Sequence, residues 1–528
     1  MQKIVTAAQM REIDRRTIED RGIPSLILME NAGARIYEYL AQHFSPLSSR
    51  RLIVIAGKGN NGGDGLVSAR HLTVRTKPLE LTVVVVGDPQ KFNENAAANY
   101  RMLQAVDCNA ITVCTRDDWK LVQPKLISSH IVIDALLGTG LRKPLTGLYE
   151  EIIEDINTHC NHCEKIAVDM PTGVPTDSGE PNGKALSAST TITFTTPKIS
   201  QIFFPNSKQV GKLVVKPIGT APSMLSADPQ LNLALIEPGD FQHLLAARPP
   251  SSHKGNFGHV FVIGGTPETP GAALMTASAA TASLRTGAGR VTVATSENTA
   301  SSLIAHTPEL MTLHLPTDKS GQLDSERFTS SCFNLATVLA LGPGLGVSPG
   351  SVELTKRIML ETHQPLVIDA DAINCLSKIT DWQCDRQRPV ILTPHPGEMA
   401  RLTGNTTDEI QANRIEIARN YAAKHGTYLV LKGHRTLIAT PEGLVMVNPT
   451  GTPAMATAGS GDILTGIIAG LLAQFPHEQT GIVIAAAVYL HGLSAELAAS
   501  ETTELAMLAT DTLQFLPAAI QKSVSHFE

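Results

Sequence analysis

The sequence has few charged residues, few cysteines and no long apolar run, and each scarcity excludes a class of protein. Charged residues make up 17% and apolar residues 42% of the 528 residues, a balance that excludes a disordered chain and predicts a globular one. The net charge is −6, and acidic and basic residues are mixed along the chain. Because proteins that bind nucleic acid concentrate Lys and Arg on one face, we expect no nucleic-acid partner.

Neither a signal peptide nor a membrane span is expected. The N-terminal residues MQKIVTAAQMREIDRR lack the apolar core of a signal peptide. The longest apolar runs, such as ILTGIIAGLLAQF after Asp462, are shorter than the roughly 20 residues that cross a membrane. These absences predict a cytoplasmic protein without a membrane partner.

Seven cysteines are too few for a disulfide framework in a chain of this size. Cys160 and Cys163 have the C-x-x-C spacing of zinc and redox sites, but no second pair lies near them. Reduced, structurally neutral thiols are the favoured interpretation, with a zinc or redox site as the alternative.

Short apolar, β-branched segments alternate with amphipathic segments along most of the chain. RLIVIAG, LTVVVVGD and HIVIDALLG fit buried strands, and DGLVSARHLTVR fits a helix. This alternation predicts βαβ units and mostly parallel sheets that are covered on both faces. The predicted fold class is therefore α/β.

The alternation pauses over residues 217–240, which are rich in Pro, Ser and Ala and contain no strong strand. A second series of strands then begins at HVFVIGG and continues to TYLVLKG. At roughly 100–200 residues per domain, the length allows two to four domains. We place the boundary between 225 and 240 and predict two domains, 1–230 and 231–528.

The segment GKGNNGGDG, residues 57–65, follows the strand RLIVIA and precedes a helix. Its glycines satisfy the G-x-G-x-x-G pattern of dinucleotide sites, and Asp88 ends the next strand, where a ribose-binding acid would lie. Asn60, Asn61 and Asp64 add side chains that a plain phosphate loop does not need, since backbone N–H groups at a helix N-terminus suffice. They favour a cation or substrate site over an ordinary dehydrogenase and over a glycine turn with an Asx cap.

Two further strands end in an acid followed by a glycine turn: Asp134 in DALLGTGLRKP and Asp169 in VDMPTGVPTDSG. Ligands collect at the C-terminal ends of strands in a doubly wound sheet, so these segments should meet at one site. Asn61, Asp134 and Thr172 could give hard oxygen ligands to a small cation. Asp169 would then be free to act as a base or acid. For either acid alone, a helix N-cap is the competing role.

These three segments resemble the N-terminal domain of the YjeF family, the epimerases of NAD(P)HX, which is hydrated NADH or NADPH. The resemblance implies potassium ligation by Asn61, Asp134 and Thr172, and a catalytic role for Asp169. The family usually has Ser where Thr172 stands, and the hydroxyl is kept. The residues implied to bind the dinucleotide are Asn60, Asn61, Gly62, Gly63, Asp64, Gly138, Thr139, Gly140, Leu141, Arg142, Lys143 and Pro144.

The strongest cluster in the second half is TAGSGDILTGIIAGLLA, residues 457–473. Gly459, Ser460 and Gly461 precede an apolar helix, and Asp462 stands at its start. Backbone N–H groups there would form an anion hole at the positive end of the helix. Asp462 could then take a proton from an attacking hydroxyl, the alternative being a plain helix N-terminal charge.

Other turns should converge on the same edge of the sheet. They are GPGLG with Gly346, HPGE beginning at His395, and KGHRT beginning at Lys432. Lys432 could meet a nucleotide phosphate as a point charge. His395 could contact the substrate or be a satisfied loop histidine. The sequence contains no Walker A pattern, so a nucleotide here is not held by a P-loop.

These turns resemble the ribokinase-like superfamily, and KGNFGHVFVIGG, GPGLG, HPGE, LKG and AGSGD together resemble the C-terminal domain of the YjeF proteins, the ADP-dependent NAD(P)HX dehydratases. With both halves, the resemblance covers nearly the whole chain. It implies an N-terminal Rossmann-like and a C-terminal ribokinase-like α/β/α domain. The residues implied to contact the adenine nucleotide are Lys432, Gly433, His434, Arg435, Thr436 and Gly461. Those implied to contact the hydrated dinucleotide are Ala273, Gly346, His395 and Asp462.

The expected function is repair of hydrated nicotinamide dinucleotides. The first domain would interconvert the R and S epimers of NAD(P)HX with potassium, and the second would dehydrate the S epimer with magnesium while ADP becomes AMP and phosphate. The preference for ADP over ATP and a homo-oligomeric state are implied by the resemblance alone. The alternatives are a small-molecule kinase with an N-terminal dinucleotide-binding regulatory module, and a non-catalytic first half.

Overall fold

The computed structural model describes residues 1–141, 143–177, 183–265, 270–318, 323–380, 382 and 388–524, without the side chains of 270–273, 298, 302 and 304–306. The chain divides into two compact units. The first unit is Gln2–Leu231, and the second is Asn232–Glu528 together with Met1. Each unit has its own sheet packed with helices, which confirms the predicted α/β class.

The first unit is built on a seven-stranded sheet in which every pair of neighbours is parallel. In spatial order the strands are Ala110–Val113, Glu80–Val86, Arg51–Ala56, Ile131–Ala135, Glu164–Val168, Thr190–Phe194 and Lys212–Lys216. The chain order reverses between Arg51–Ala56 and Ile131–Ala135. Such a switch point opens a crevice at the C-terminal ends of the strands, where ligands bind.

Helices cover both faces of this sheet. Val54 packs into one apolar core with Ile36 and Leu40, whereas its neighbour Ile53 packs into another core with Trp119. Successive side chains of a strand point to opposite faces, so the two cores lie on opposite sides of the sheet. The longer helices of the unit are Ala7–Arg15, Ser25–His43, Asn60–Arg75, Glu94–Gln104, Arg116–Ile127 and Leu148–His159. The short ones are Ile199–Ile202, Ser207–Val210 and Pro222–Ser226.

The helix Asn60–Arg75 begins inside the glycine-rich segment, four residues before the predicted start at Asp64. Glycine allows this early start, because a Cβ on Gly62 would lie 1.8 Å from the carbonyl oxygen of Gly57. A Cβ on Gly65 would lie 2.5 Å from the Cβ of Ala135 in the neighbouring strand. The first turn of the helix therefore sits directly on the strand ends, and its polar side chains reach the crevice.

The sheet of the second unit is parallel through its middle and antiparallel at one side. In spatial order the strands are Leu233–Leu235, Val445–Val447, Leu437–Ala439, Tyr428–Leu431, Val390–Leu392, Leu366–Ile368, Val338–Leu341, His259–Ile263, Arg290–Thr295 and Met311–His314. The pairs of Leu437–Ala439 with its two neighbours are antiparallel. The strand Leu233–Leu235 lies in the segment where no strong strand was expected, because three residues are too few to show a periodic pattern.

The helices of the second unit are Pro270–Arg285, Glu297–His306, Pro349–Glu361, Ala370–Leu376, Pro396–Thr403, Thr407–Ala412, Arg414–His425, Ser460–Gln474, Thr480–Thr502 and Asp511–Val524. The helix Ser460–Gln474 packs closely against Pro270–Arg285, since a Cβ on Gly466 would lie 2.0 Å from the carbonyl oxygen of Ala279. This close packing fixes the N-terminus of Ser460–Gln474 relative to the sheet.

Of the described helices, Thr480–Thr502 is long and apolar enough to cross a membrane, contrary to the expectation from apolar runs. Its most apolar 18-residue stretch is 78% buried inside the structure. A mostly buried helix of this composition is typical of the core of a globular domain.

Candidate active sites

The predicted cation ligands Asp134 and Thr172 are in direct contact at the end of the strand Ile131–Ala135. Asp134 is fully buried, and its carboxylate accepts hydrogen bonds from the Thr172 hydroxyl and backbone N–H, each at 2.8 Å. The backbone N–H of Leu136 donates to the same carboxylate at 3.2 Å. Burial raises the pKa of Asp134 to about 6, although these hydrogen bonds favour the ionised form.

Asn61 is buried beside the loop that follows this strand. Its Oδ1 lies 3.3 Å from the position that a Cβ on Gly138 would occupy. Among the described residues, no partner hydrogen-bonds its Nδ2, although that atom is buried. Asn61, Asp134 and Thr172 offer an amide, a carboxylate and a hydroxyl oxygen, the ligand class that hard cations prefer. A cation here would offset the cost of ionising the buried Asp134, so the oxygens of these three residues suit the predicted cation.

Asp169 directly follows the strand Glu164–Val168, as predicted, and its backbone has φ +60°. Its Oδ1 accepts hydrogen bonds from the Lys198 ammonium at 2.6 Å and from the Thr193 hydroxyl at 3.0 Å. Lys198 is 1% exposed. Sequence reasoning missed this lysine, which lies 29 residues from Asp169 in the chain.

Two further carboxylates, Asp64 and Asp14, interact electrostatically with Asp169 and Lys198. Burial raises the pKa of Asp64 well above its usual range, and the negative charges of Asp169 and Asp14 raise it further. Burial also raises the pKa of Asp14 to about 6, although the Lys198 charge lowers it. The site therefore combines three acids with one buried cation and is suited to holding and moving protons.

The segments predicted to line the dinucleotide site differ in exposure. Gly138, Thr139 and Leu141 are half-buried, Gly140, Lys143 and Pro144 are exposed, and Arg142 lies outside the described residues. Asn60 is exposed, while Gly62 and Gly63 are buried in the first helical turn. Asp88 accepts a hydrogen bond from the Gln90 N–H at 3.0 Å, as the N-cap of a short turn. Asp88 therefore has a structural role as the cap of this turn.

A cleft of about 860 Å³ lies in the second unit. The predicted nucleotide-contacting residues lining it are Lys432, Gly433, His434, Arg435, Thr436 and Gly461. His395 and Ser460 line it as well. Apolar side chains such as Met455, Leu464 and Val488 cover other parts of its wall. A cleft with an apolar wall and a few convergent polar groups is typical of a nucleotide-sized ligand.

Lys432 forms a buried ion pair beside the start of the helix Ser460–Gln474. Its ammonium donates to Asp369 Oδ1 at 2.8 Å, and the Thr465 hydroxyl donates to Asp369 Oδ2 at 2.7 Å. Burial opposes ionisation of Asp369 most strongly, but the Lys432 charge and the hydrogen bonds from Lys432 and Thr465 together hold the pKa of that carboxyl below its usual range. A Cβ on Gly461 would lie 3.0 Å from the Lys432 ammonium, which places the pair beside the glycine turn.

Asp462 lies in the first turn of the helix Ser460–Gln474, whose N-cap Gly459 has φ 91°. Burial raises the pKa of Asp462 to about 7, and the negative charge of Asp369 raises it further. The same causes raise the pKa of Glu398 to about 7. An acid with such a pKa changes protonation state near neutral pH, as a general base requires.

His395 caps the N-terminus of the helix Pro396–Thr403 and also lines the cleft. Its Nδ1 accepts a hydrogen bond from the Gly397 N–H at 3.0 Å, and burial lowers the pKa of its ring. The N–H of Gly346, a residue predicted to contact the hydrated dinucleotide, donates to Asp371 Oδ2 at 2.9 Å. The side chain of Ala273 lies outside the described residues.

Sequence reasoning also missed Asp369 and His491. Asp369 carries the signal that identified Asp134 and Asp169, an acid after an apolar strand, and PLVIDA could have revealed it. His491 is a single histidine in the apolar helix Thr480–Thr502, a pattern that gives no such signal. It lines the cleft, and burial lowers its pKa to about 4.

Within the described ranges, no three His, Cys, Asp or Glu side chains are grouped as a metal site. Cys160 and Cys163 are buried and free of disulfides, and burial raises the pKa of the Cys160 thiol to about 12. Such a thiol is unreactive, which favours the structural interpretation of this pair.

Family models match both units. The model of the YjeF-related protein N-terminus matches residues 25–200, and the model of NAD(P)H-hydrate dehydratase matches residues 260–518. The bifunctional NAD(P)H-hydrate repair enzyme Nnr of Moorella thermoacetica is 40% identical over 517 residues, 97% of this chain and 96% of that protein. Its counterpart in Thermofilum pendens is 33% identical over 530 residues, 100% of this chain and 98% of that protein.

A solved structure, an ADP/ATP-dependent NAD(P)H-hydrate dehydratase from Bacillus subtilis co-crystallised with ATP and Mg²⁺, is 33% identical with a TM-score of 0.48. The match covers 55% of this chain and 99% of the Bacillus subtilis chain.

Proposed function

The chain belongs to the family of bifunctional NAD(P)H-hydrate repair enzymes, and on that premise we propose which residues carry each of its two activities. It epimerises the R and S forms of NAD(P)HX and dehydrates the S form to NAD(P)H. We assign epimerisation to residues 1–230 and ADP-dependent dehydration to residues 231–528. The observation that carries this assignment is the presence in each unit of its own buried acid–lysine cluster, at a strand end beside a glycine turn.

In the epimerase site, Asp169 exchanges a proton with the hydrated nicotinamide ring. The loop from Gly138 to Pro144 and the first turn of the helix Asn60–Arg75 hold the dinucleotide. Asn61, Asp134 and Thr172 would hold potassium, whose charge would offset that of the buried Asp134 carboxylate. Hydrogen bonds from Thr172 keep that carboxylate oriented.

In the dehydratase site, Asp462 takes the proton of the ring hydroxyl, whose oxygen attacks the terminal phosphate of ADP. The bond from that phosphate to AMP breaks, inorganic phosphate then leaves the ring, the neighbouring ring carbon loses a proton, and the ring double bond returns. Lys432, Gly433, His434, Arg435, Thr436 and Gly461 bind the nucleotide from the walls of the cleft. Magnesium would arrive with the nucleotide phosphates and neutralise their charge.

A coupled assay tests both assignments. Purified protein receives mixed-epimer NADHX with magnesium, potassium and either ADP or ATP, and reduced-nicotinamide absorbance and free phosphate are followed. Full conversion of both epimers, with one phosphate per NADH, supports both assignments and gives the nucleotide preference. Conversion that stops after one epimer contradicts the assignment of the first unit. A stable phosphorylated product without NADH would instead identify a small-molecule kinase.

The proposal extends to the setting in which the enzyme works. We propose a cytoplasmic homo-oligomer that acts on small molecules and binds neither nucleic acid nor membrane. The net charge of −6 supports the exclusion of nucleic acid, since it offers no excess of cations for phosphate backbones. Size-exclusion chromatography with light scattering tests the oligomeric state.

A further inference from the structure

Lys198 is committed to contacts within the first unit. Its ammonium donates to Asp169 Oδ1 at 2.6 Å, to the Thr193 hydroxyl at 2.7 Å and to the carbonyl oxygen of Phe194 at 3.3 Å. An ammonium has three donor hydrogens, and each of these oxygens takes one. With 1% of its surface exposed, Lys198 has no donor left for a substrate.

The two oxygens of the Asp169 carboxylate lie in different surroundings. Oδ1 accepts from both Lys198 and Thr193. Oδ2 lies 3.3 Å from the position that a Cβ on Gly138 would occupy, as Asn61 Oδ1 does, and none of the described residues hydrogen-bonds Asp169 Oδ2. The glycine leaves open space at Oδ2, on the side where the predicted dinucleotide loop begins.

The backbone of Asp169 is held as firmly as its side chain. Its φ of +60° is a left-handed conformation that a residue other than glycine rarely adopts. The Gln201 side-chain amide donates to the Asp169 carbonyl at 2.6 Å, and the Asp169 N–H donates to the carbonyl of Ile192 at 2.8 Å. Strained backbone persists only where its surroundings over-determine it, and such sites are often functional. Lys198 and Gln201, three residues apart, thus hold both the side chain and the carbonyl of Asp169.

We propose that Lys198 is a positioning residue of the epimerase, which ties up Oδ1 of Asp169 and leaves Oδ2 as the atom that exchanges the proton. The inference rests on the proposed function of the first unit and adds which oxygen acts and what orients it. Oδ2 takes a proton from the substrate in one half of the reaction and returns it in the other, so the carboxylate ends as it began.

The surroundings make the lysine charge necessary. Asp14 on the helix Ala7–Arg15 and Asp64 on the helix Asn60–Arg75 also interact electrostatically with Asp169 and Lys198. Without the ammonium, three acids would face one another in a buried site, and like charges favour protonation. Loss of Lys198 should therefore weaken the base function of Asp169 as well as its orientation.

The test compares Lys198→Met, Asp169→Asn and the double variant in the full chain, with Thr191→Val as matched control. Thr191 is a buried threonine on the same strand as Thr193 and donates to the carbonyl of Val210. Lys198→Met should lower the kcat of epimerisation about 100-fold, with KM changed less than about 3-fold, because misplacement of a catalytic group acts on the chemical step. The acidic midpoint of its pH–rate profile should move upward, and that of Thr191→Val should stay in place.

Dehydration of the S epimer by the same polypeptide is the internal control for folding. If Lys198→Met also lost this activity, Thr193→Val would take its place as the test. We expect this variant to lower the kcat of epimerisation about 10-fold and to move the acidic midpoint of the pH–rate profile upward. The inference is overturned if Lys198→Met keeps its kcat and pH profile, or if the double variant is slower than Asp169→Asn. A wild-type chain that dehydrates but does not epimerise would overturn the proposed function of the first unit, and this inference with it.

Discussion

Both units contain a largely buried lysine–aspartate pair, but the proposed roles of the two pairs differ. In the first unit, Lys198 pairs with Asp169, the acid expected to react. In the second, Lys432 pairs with Asp369, and the expected base Asp462 lies outside that pair. The ionised Asp369 then acts on Asp462 as a neighbouring negative charge and raises its pKa. In our proposal the first pair orients a proton-transfer group, whereas the second adjusts the proton affinity of one.

This difference fits the two reactions. In the proposed epimerisation the proton returns within each cycle, so a fixed carboxylate oxygen would serve both directions. Dehydration begins with removal of a proton from a weakly acidic hydroxyl, for which a base with a pKa near the working pH is most effective. The predictions below are ordered from the largest expected effect to the smallest, and each breaks or sharpens this comparison.

Replacement of Asp462 should cause the largest loss. Asp462→Asn removes the proposed base, and we expect dehydratase kcat to fall about 1,000-fold, within the range of general-base catalysis. Epimerase activity should not change, because Asp462 belongs to the second unit. Release of phosphate from ADP and the S epimer measures the loss. The exposed Asp408→Asn serves as control, and phosphate release at the normal rate by Asp462→Asn would refute the assignment.

Removal of the lysine from the second pair should cost stability. Lys432→Met leaves Asp369, which is 1% exposed, as a buried charge without its cation. Breaking a buried pair at one partner costs about 3–5 kcal/mol, and denaturant unfolding measures it. The double variant Lys432→Met, Asp369→Asn should recover part of the loss. A loss below about 1 kcal/mol would mean that the pair does not stabilise this unit.

The pH dependence of dehydration should report Asp462. Activity requires the ionised carboxylate, so kcat/KM should rise with pH through a midpoint of about 7. Asp369→Asn removes the neighbouring negative charge and should lower this midpoint, while the burial of Asp462 still holds it above the range of an exposed aspartate. A midpoint that does not move in Asp369→Asn would contradict the coupling of the two acids.

Replacement of Thr172 at the proposed potassium site should have a smaller effect on activity, confined to the first unit. Thr172→Val removes the hydroxyl that contacts Asp134, and we expect epimerase activity and its potassium activation to fall about 10-fold, as for other losses around a metal site. Thr172→Ser keeps the hydroxyl and should keep most of both. Dehydratase activity serves as control, and potassium activation at full strength in Thr172→Val would exclude this residue as a ligand.

The smallest expected effect is the pH-dependent contribution of Asp134 to the stability of the folded chain. Its pKa of about 6 in the folded chain exceeds that of an exposed aspartate, so the folded state binds this proton more tightly. Asp134 therefore contributes most to stability at pH values below the pKa of an exposed aspartate. This contribution is lost as the pH rises through about 6. Potassium bound at Asp134, as proposed, would offset the carboxylate charge, so it should raise the unfolding temperature more at pH 8 than at pH 5. Equal shifts at both pH values would place potassium elsewhere.

The sequence alone determined the features that depend on neighbouring residues. Alternating apolar and amphipathic segments predicted the parallel strands, because a strand buried on both faces must be apolar along its length. Strand ends with an acid and a glycine turn located Asp134 and Asp169, and the turn before an apolar helix located Asp462. Thr172 and Asp134 lie at neighbouring strand ends and are indeed in contact.

Only the tertiary structure decided the partners of these acids. Lys198 reaches Asp169 across 29 residues and Lys432 reaches Asp369 across 63, and no local pattern encodes such distances. The early start of the helix at Asn60 depends on close contact between Gly62 and Gly57, and the short antiparallel strands depend on their neighbours in the sheet. A sequence thus shows which groups stand at a strand end. Burial and the charges packed around each group set its protonation and orientation, and those exist only once the chain is folded.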